Sequence, residues 1–183
     1  MKQQKLNRLK NNLVNEVKLS FSFSSKYYAC LAIIEDETSK LYEKLVDQCK
    51  DETVKLLLLN ILYETKKHKE LLFQIANLKK EFQLPTIEEC EKEAGYLIKE
   101  CLKNIQTLKM QIEQKHPIIN ILKKLIEFED SISEEYLIML HGEALKNLEE
   151  KLHIKEIVKY IAEDEKRHIN LLELSCKLLN KKL

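Results

Sequence analysis

The sequence has very little of what interrupts a helix. Its 183 residues include only 2 glycines and 2 prolines. Sheet proteins turn often, and their turns draw heavily on those two residues. Such scarcity excludes a strand-rich fold and leaves a few long helices with few connections. A charge of one sign is also missing. Lysine and arginine total 31 against 30 aspartate and glutamate, for a net charge of +1. A nucleic-acid binder usually carries a clear basic excess, so no nucleic-acid partner is expected. No apolar run reaches the roughly 18 residues that span a membrane, so no membrane span is expected. The first residues, MKQQKLNRLK, lack the apolar stretch and small-residue cleavage site of a secretory signal, and the expected location is cytoplasmic.

The five cysteines, Cys30, Cys49, Cys90, Cys101 and Cys176, contain no C-x-x-C pair. Their odd number and wide spacing predict free thiols in a reducing compartment. The missing pairs also exclude a rubredoxin-type iron site.

What is present is amphipathic helix. Apolar residues make up 44% and charged residues 33%, enough for a core and for solvated outer faces. The spacing predicts six helical stretches in one domain covering 1–183. The first, about Leu6 to Leu19, carries a narrow stripe of Leu6, Leu9, Leu13 and Val17 among lysines, and reads as a helix packed on the bundle or at a subunit contact. The second starts near Ser22 or Ser25 and ends at Cys49. The third runs from Asp51 to Phe82 and stops before Pro85. The fourth opens near Thr86, where T-I-E-E has the form of a capping box, and continues to Lys115. Pro117 suits the first turn of the fifth, which reaches Leu140 or beyond, with His141-Gly142 as an end or a weak point. The sixth covers Ile154 to Leu179. No Ser-, Gly- or Pro-rich linker divides them.

The chain repeats itself. Asn60 to Leu72 reads NILYETKKHKELL, and Lys159 to Leu172 reads KYIAEDEKRHINLL. His68 aligns with His168 and Glu64 with Asp164. Upstream, Ile34-Glu35-Asp36 aligns with Phe128-Glu129-Asp130, and a tyrosine follows each glutamate by seven residues, at Tyr42 and Tyr136. The plan is a helix hairpin, a connecting helix and a second hairpin. Two antiparallel pairs joined by a long crossover describe a four-helix bundle.

The inward stripes carry the chemistry. Leu31, Glu35, Thr38, Tyr42, Leu45 and Cys49 share one face of the second helix, and Leu122, Leu125, Glu129, Ile132, Tyr136 and Met139 one face of the fifth. In the third, Leu57, Ile61, Glu64, His68, Leu71, Ile75 and Leu78 form the predicted stripe; in the sixth, Val158, Ile161, Glu165, His168 and Leu172. Glu35, Glu64, His68, Glu129, Glu165 and His168 therefore converge at mid-height. Carboxylates buried together repel and are costly unless a cation offsets them. Glutamate and histidine suit iron, manganese or zinc. Glu165 and His168 form Glu-x-x-His, which places both on one helix face. Tyr42 and Tyr136 read as core residues hydrogen-bonding near the site, and His116, His141 and His153 as solvent-facing.

These motifs, E-x6-Y in the first helix of each pair and Glu-x-x-His in the second, resemble the rubrerythrin-like branch of the ferritin-like superfamily from Phe21 to Cys176. The resemblance implies a ferritin-like antiparallel four-helix bundle with an extra N-terminal helix and an extra crossover helix. It implies a di-iron carboxylate site held by Glu35, His68, Glu129, Glu165 and His168. Oxidase or peroxidase activity, or ferrous iron handling, would follow, with a homodimer and a separate protein as electron donor. Two positions depart from the pattern. The family's first Glu-x-x-His needs a glutamate where Thr65 stands, and Glu64 lies about 40° from His68 around the helix. Peroxide-reducing members carry a glutamate where Ile132 stands. Both departures favour the alternative, a helical interaction module with a degenerate or mononuclear site.

Overall fold

The computed structural model describes residues 25–78, 85–93, 95–144 and 152–181, with the side chains of 91, 93, 95–97, 134–144 and 152 excepted. The expected N-terminal helix and the side chains of Tyr136 and His141 lie outside these residues. Among the described residues six helical segments follow one another: α1 (Ser25–Gln48), α2 (Glu52–Asn77), α3 (Ile87–Glu93), α4 (Gly95–Glu113), α5 (Ile118–Ala144) and α6 (Leu152–Asn180). No strand occurs among the described residues. The fold is an all-α bundle.

Local chemistry sets the ends. Asp51 caps α2, its side chain accepting from the Thr53 and Val54 amides at 3.0 Å each. Thr86 and Glu89 form the expected reciprocal box: the Thr86 amide donates to Glu89 at 2.8 Å and the Glu89 amide to the Thr86 hydroxyl at 3.2 Å. The fourth predicted stretch is described as Ile87–Glu93 and Gly95–Glu113, on either side of residue 94. After α4, Lys115 turns left-handed with φ 57°, and the Lys115 and His116 amides donate to the Ile112 and Gln111 carbonyls, both at 3.0 Å. This is the Schellman closure, with Pro117 beyond it. Helix α5 runs through His141-Gly142 without ending there.

The heaviest pairings are α1 with α2 and α5 with α6. The two hairpins meet where α2 packs on α6, while α4 packs on both α1 and α5. Glu64 stands opposite His168 and His68 opposite Asp164, so α2 and α6 run antiparallel. Helix α1 is covered by α2, α3 and α4, and Tyr27 through Ala32 are all buried. A stretch of helix that is apolar on every side belongs in an interior. Each fully buried leucine, such as Leu41 or Leu58, contributes about 2 kcal/mol. Ion pairs along the outside, Lys66–Glu43 and Lys109–Glu37 at 2.6 Å each, add at most about 1 kcal/mol apiece.

Two expectations are corrected. First, the inward face of α2 is Val54, Leu58, Ile61, Thr65, His68, Leu72 and Ile75. The predicted stripe through Leu57, Glu64, Leu71 and Leu78 is rotated by about one residue: Leu57, Glu64 and Leu71 are half-buried and Leu78 is 66% exposed. Both registers are apolar in the sequence, and packing against α6 selects one. Second, Cys30 and Cys90 are joined by a disulfide across 60 residues, with Cα atoms 5.3 Å apart, tying α1 to α3. Only Cys49, Cys101 and Cys176 are free thiols, so the thiol argument for a reducing compartment lapses. No helix of the described residues is long and apolar enough to cross a membrane.

Closing a loop of that length stabilises a fold by about 2–4 kcal/mol. Alkylation of the unfolded, unreduced chain is expected to label three cysteines, rising to five after reduction. Five before reduction would show that Cys30 and Cys90 stand as a dithiol. Where three are labelled, reduction is expected to lower the melting temperature.

Candidate metal centre

Five of the six predicted side chains come together. Glu35 from α1, His68 from α2, Glu129 from α5, and Glu165 with His168 from α6 are all buried, none more than 3% exposed. They form two trios whose ligand atoms lie within 4.8 Å of one another: Glu35, His68 and Glu165, and Glu129, Glu165 and His168. Glu165 belongs to both. Its Oε1 lies 2.8 Å from His68 Nδ1 and its Oε2 lies 3.0 Å from His168 Nδ1. His168 Nδ1 is also 3.6 Å from Glu129 Oε2. The two imidazole rings stack, 5.8 Å apart and 28° from coplanar.

The sixth predicted residue is elsewhere. Glu64 meets the outer nitrogen of His168, its Oε2 3.0 Å from Nε2, and does not join either trio. The rotated face of α2 is the reason. It turns Thr65 inward, and turns Glu64 to the edge. The Thr65 hydroxyl donates back to the Ile61 carbonyl at 3.0 Å. Ile132 is buried as an apolar wall. His116 and His153 are exposed, as expected.

Asp164 was not singled out as a site residue from the sequence, although the repeat aligns it with Glu64. Its Oδ2 lies 3.0 Å from His68 Nε2. Lys67 donates to the same oxygen at 2.7 Å, and Arg167 lies 2.7 Å from Oδ1. Arg167 also donates to Glu64, so one guanidinium joins both outer carboxylates. Each histidine thus turns Nδ1 to the trios and Nε2 to a carboxylate of the opposite helix. Metal-binding histidines commonly donate their second N–H to a carboxylate, which fixes ring orientation and tautomer. The Tyr42 hydroxyl, fully buried, donates to Glu129 Oε1 from the first hairpin to the second.

Two observations bear on whether these groups fit a metal. The donor set is carboxylate and imidazole without thiolate, which suits iron, manganese or zinc. And His68 Nδ1 and Glu165 Oε1, though 2.8 Å apart, make no hydrogen bond of acceptable angle; both are buried atoms without a partner. Two such buried atoms, paired by charge but without a well-angled hydrogen bond, are of the kind a cation could hold in place of the proton.

Protons supply the charge in the metal-free chain. Burial pulls the His68 pKa down, but the carboxylates of Asp164, Glu165 and Glu35 outweigh it and raise it to about 9. Burial opposes His168 in the same way, and Glu165, Glu129 and Glu64 raise it to about 12. Burial and the negative Glu165 push Glu129 up to about 7. Glu165 is held well below the usual carboxylate range, because His168 and His68 overcome its burial. Both histidines are therefore imidazolium at neutral pH.

No protein-family model, no curated protein and no solved structure matches the chain.

The sign for pH follows. Unfolded imidazole titrates near 6.5. A raised folded pKa contributes stability that is fully present below that value and lost as pH rises through about 9 for His68. Metal must displace the same protons. Loading with ferrous ion or zinc at pH 7 is expected to release about two protons per chain, and metal affinity to rise from pH 6 to 9. Calorimetry in buffers of different ionisation enthalpy checks this. Binding without proton release would place the metal away from the histidines.

Proposed function

We propose that this chain is a ferritin-like, rubrerythrin-like protein that binds two metal ions, iron by preference, and acts as an oxidase or peroxidase. The observation that carries the reading is Glu165, which offers one oxygen towards each of two imidazole nitrogens. Glu165 would hold both ions. Glu35 and His68 would complete one, and Glu129 and His168 the other. Three protein groups per ion leave positions open for a small reactant, the pattern of reactive rather than purely structural sites. A bound ferrous pair supplies two electrons to peroxide or dioxygen.

The chain's own residues do the rest. Asp164 and Glu64 fix the two rings, and Arg167 fixes both carboxylates. Tyr42 holds one oxygen of Glu129, which directs the other towards the His168 trio. Leu31, on the face of Glu35, and Leu125 and Ile132, on the face of Glu129, are buried and would keep bulk water from the centre. A separate electron donor belongs to this reading, since no C-x-x-C pairs support a rubredoxin-type iron. A homodimer belongs to it as well. Manganese or zinc would use the same donors.

A second reading is favoured by one observation. Thr65 bonds to its own helix and supplies no second bridging carboxylate. The buried groups would then be a polar network balanced by imidazolium protons, within a helical interaction module.

Metal content separates the two. The protein reconstituted with ferrous iron is expected to hold about two ions per chain and to melt several degrees higher, since a ligand present at 1,000 times its Kd adds about 4 kcal/mol. Glu165→Gln is expected to lose both ions and keep its helical circular dichroism. One ion per chain would point to Thr65 as the cause of an altered site. None, with no change in melting, would overturn the metal reading in favour of the network.

A further inference from the structure

Hydroxyls within these helices have a default partner. Thr65, Thr107, Ser131 and Ser175 each donate to the carbonyl four residues back, at 2.8 to 3.0 Å. Thr38 does not. Its Oγ1 is buried, the residue only 4% exposed, and it has no hydrogen-bond partner. Serine and threonine in a helix satisfy themselves locally unless something else claims the hydroxyl.

The position of Thr38 suggests what claims it. It stands three residues after Glu35 and four before Tyr42, on the inward stripe of α1. Glu35 belongs to one trio, and Tyr42 donates to Glu129 of the other. The Thr38 hydroxyl is therefore carried on the α1 wall between the groups that serve the two ions. Its counterpart in the repeat is Ile132, buried and without a polar atom to offer. On α2 the inward Thr65 is shorter than the glutamate at its own counterpart, Glu165, and its hydroxyl is turned to Ile61. The side of the centre formed by α1 and α2 thus has fewer protein donors and one spare hydroxyl.

We propose that Thr38 is a ligand-binding residue: its hydroxyl donates to a small anion, of the hydroxide or hydroperoxide class, held at the metal pair. The proposal rests on the dinuclear reading of the site. It gives the centre a preferred side, with α1 and α2 receiving the reactant and α5 and α6 supplying the bridge. Threonine to valine keeps the shape and removes only the donor.

Azide is the probe, an anion of the right size that colours ferric centres. The chain loaded with ferric iron is titrated with azide and the visible band followed, for the native protein, Thr38→Val and Thr38→Ser. A hydrogen bond to a charged ligand corresponds to a loss of about tenfold in affinity. Thr38→Val is expected to bind azide about tenfold more weakly with unchanged iron content and helicity. Thr38→Ser is expected to stay within about twofold of the native protein, since it keeps the donor. Equal azide affinity in Thr38→Val at full iron content would overturn the proposal and leave the metal reading standing. So would loss of iron from Thr38→Val, which would make the residue part of the scaffold. A native chain that takes up no iron would overturn both.

Discussion

The structure depends on keeping charge balanced in a core that excludes water. Glu35, Glu129 and Glu165 are buried with His68 and His168 between four helices. Removing an ion from water costs several kcal/mol even after relaxation, and attraction between buried partners repays this only when geometry and further hydrogen bonds are good. Glu165 is the pivot. It faces both imidazoles and stays ionised, and its charge raises both histidines and pushes Glu129 up. Replacing the centre by leucines would give an ordinary bundle. Retaining five ionisable groups there requires balancing positive charge, which the two imidazolium groups supply.

The outer carboxylates follow from helix geometry. In each hairpin an acidic residue precedes a histidine by four positions, Glu64 before His68 and Asp164 before His168. Crossing the two helices antiparallel brings each acid opposite the other helix's histidine. One spacing used twice thus produces two ring-orienting contacts, and Arg167 closes them into a network with Lys67. These pairs lie nearer the surface than the trios, where Glu64 and Asp164 keep 17% and 12% of their side chains exposed. Their charges are cheaper to hold there, and they orient the rings without adding to repulsion in the centre.

Much of this was legible before any coordinates. A repeat read from NILYETKKHKELL and KYIAEDEKRHINLL marks the two histidines, and the E-x6-Y spacing marks Glu35 and Glu129. Five of the six site residues follow from periodicity on a strict inward face. Glu64 was misplaced because α2 carries two apolar registers, through Leu57 and through Leu58, and only contact with α6 chooses between them. Asp164 was passed over although the repeat paired it with Glu64, because Glu-x-x-His drew the reading to Glu165. The Cys30–Cys90 bridge was not legible. It depends on where the crossover returns to α1, and no spacing along the chain encodes that distance.

The crossover also explains why the halves of a repeat need not make equal half-sites. Helix α1 packs against α2, α3 and α4, with Lys40 and Glu43 on its exposed edge, and the disulfide fixes α3 to it five residues before Glu35. Helix α5 packs mainly on α6 and α4, and Tyr42 of α1 reaches its Glu129. Equivalent positions on α1 and α5 therefore stand in different surroundings, and the sequence has diverged at them: Thr38 against Ile132, Thr65 against Glu165. Each difference moves polar reach in a definite direction. Glu165 extends from the second hairpin into both trios, while Thr65 withdraws from them, and Thr38 leaves a donor on the side from which Thr65 has withdrawn. A symmetric pair of bridging glutamates would enclose two ions equally from both hairpins. In this arrangement Glu165 of α6 reaches both trios, and α1 and α2 contribute Glu35 and His68 to one of them. Thr65, where the other copy of the repeat has Glu165, thus makes the two hairpins unequal at the centre.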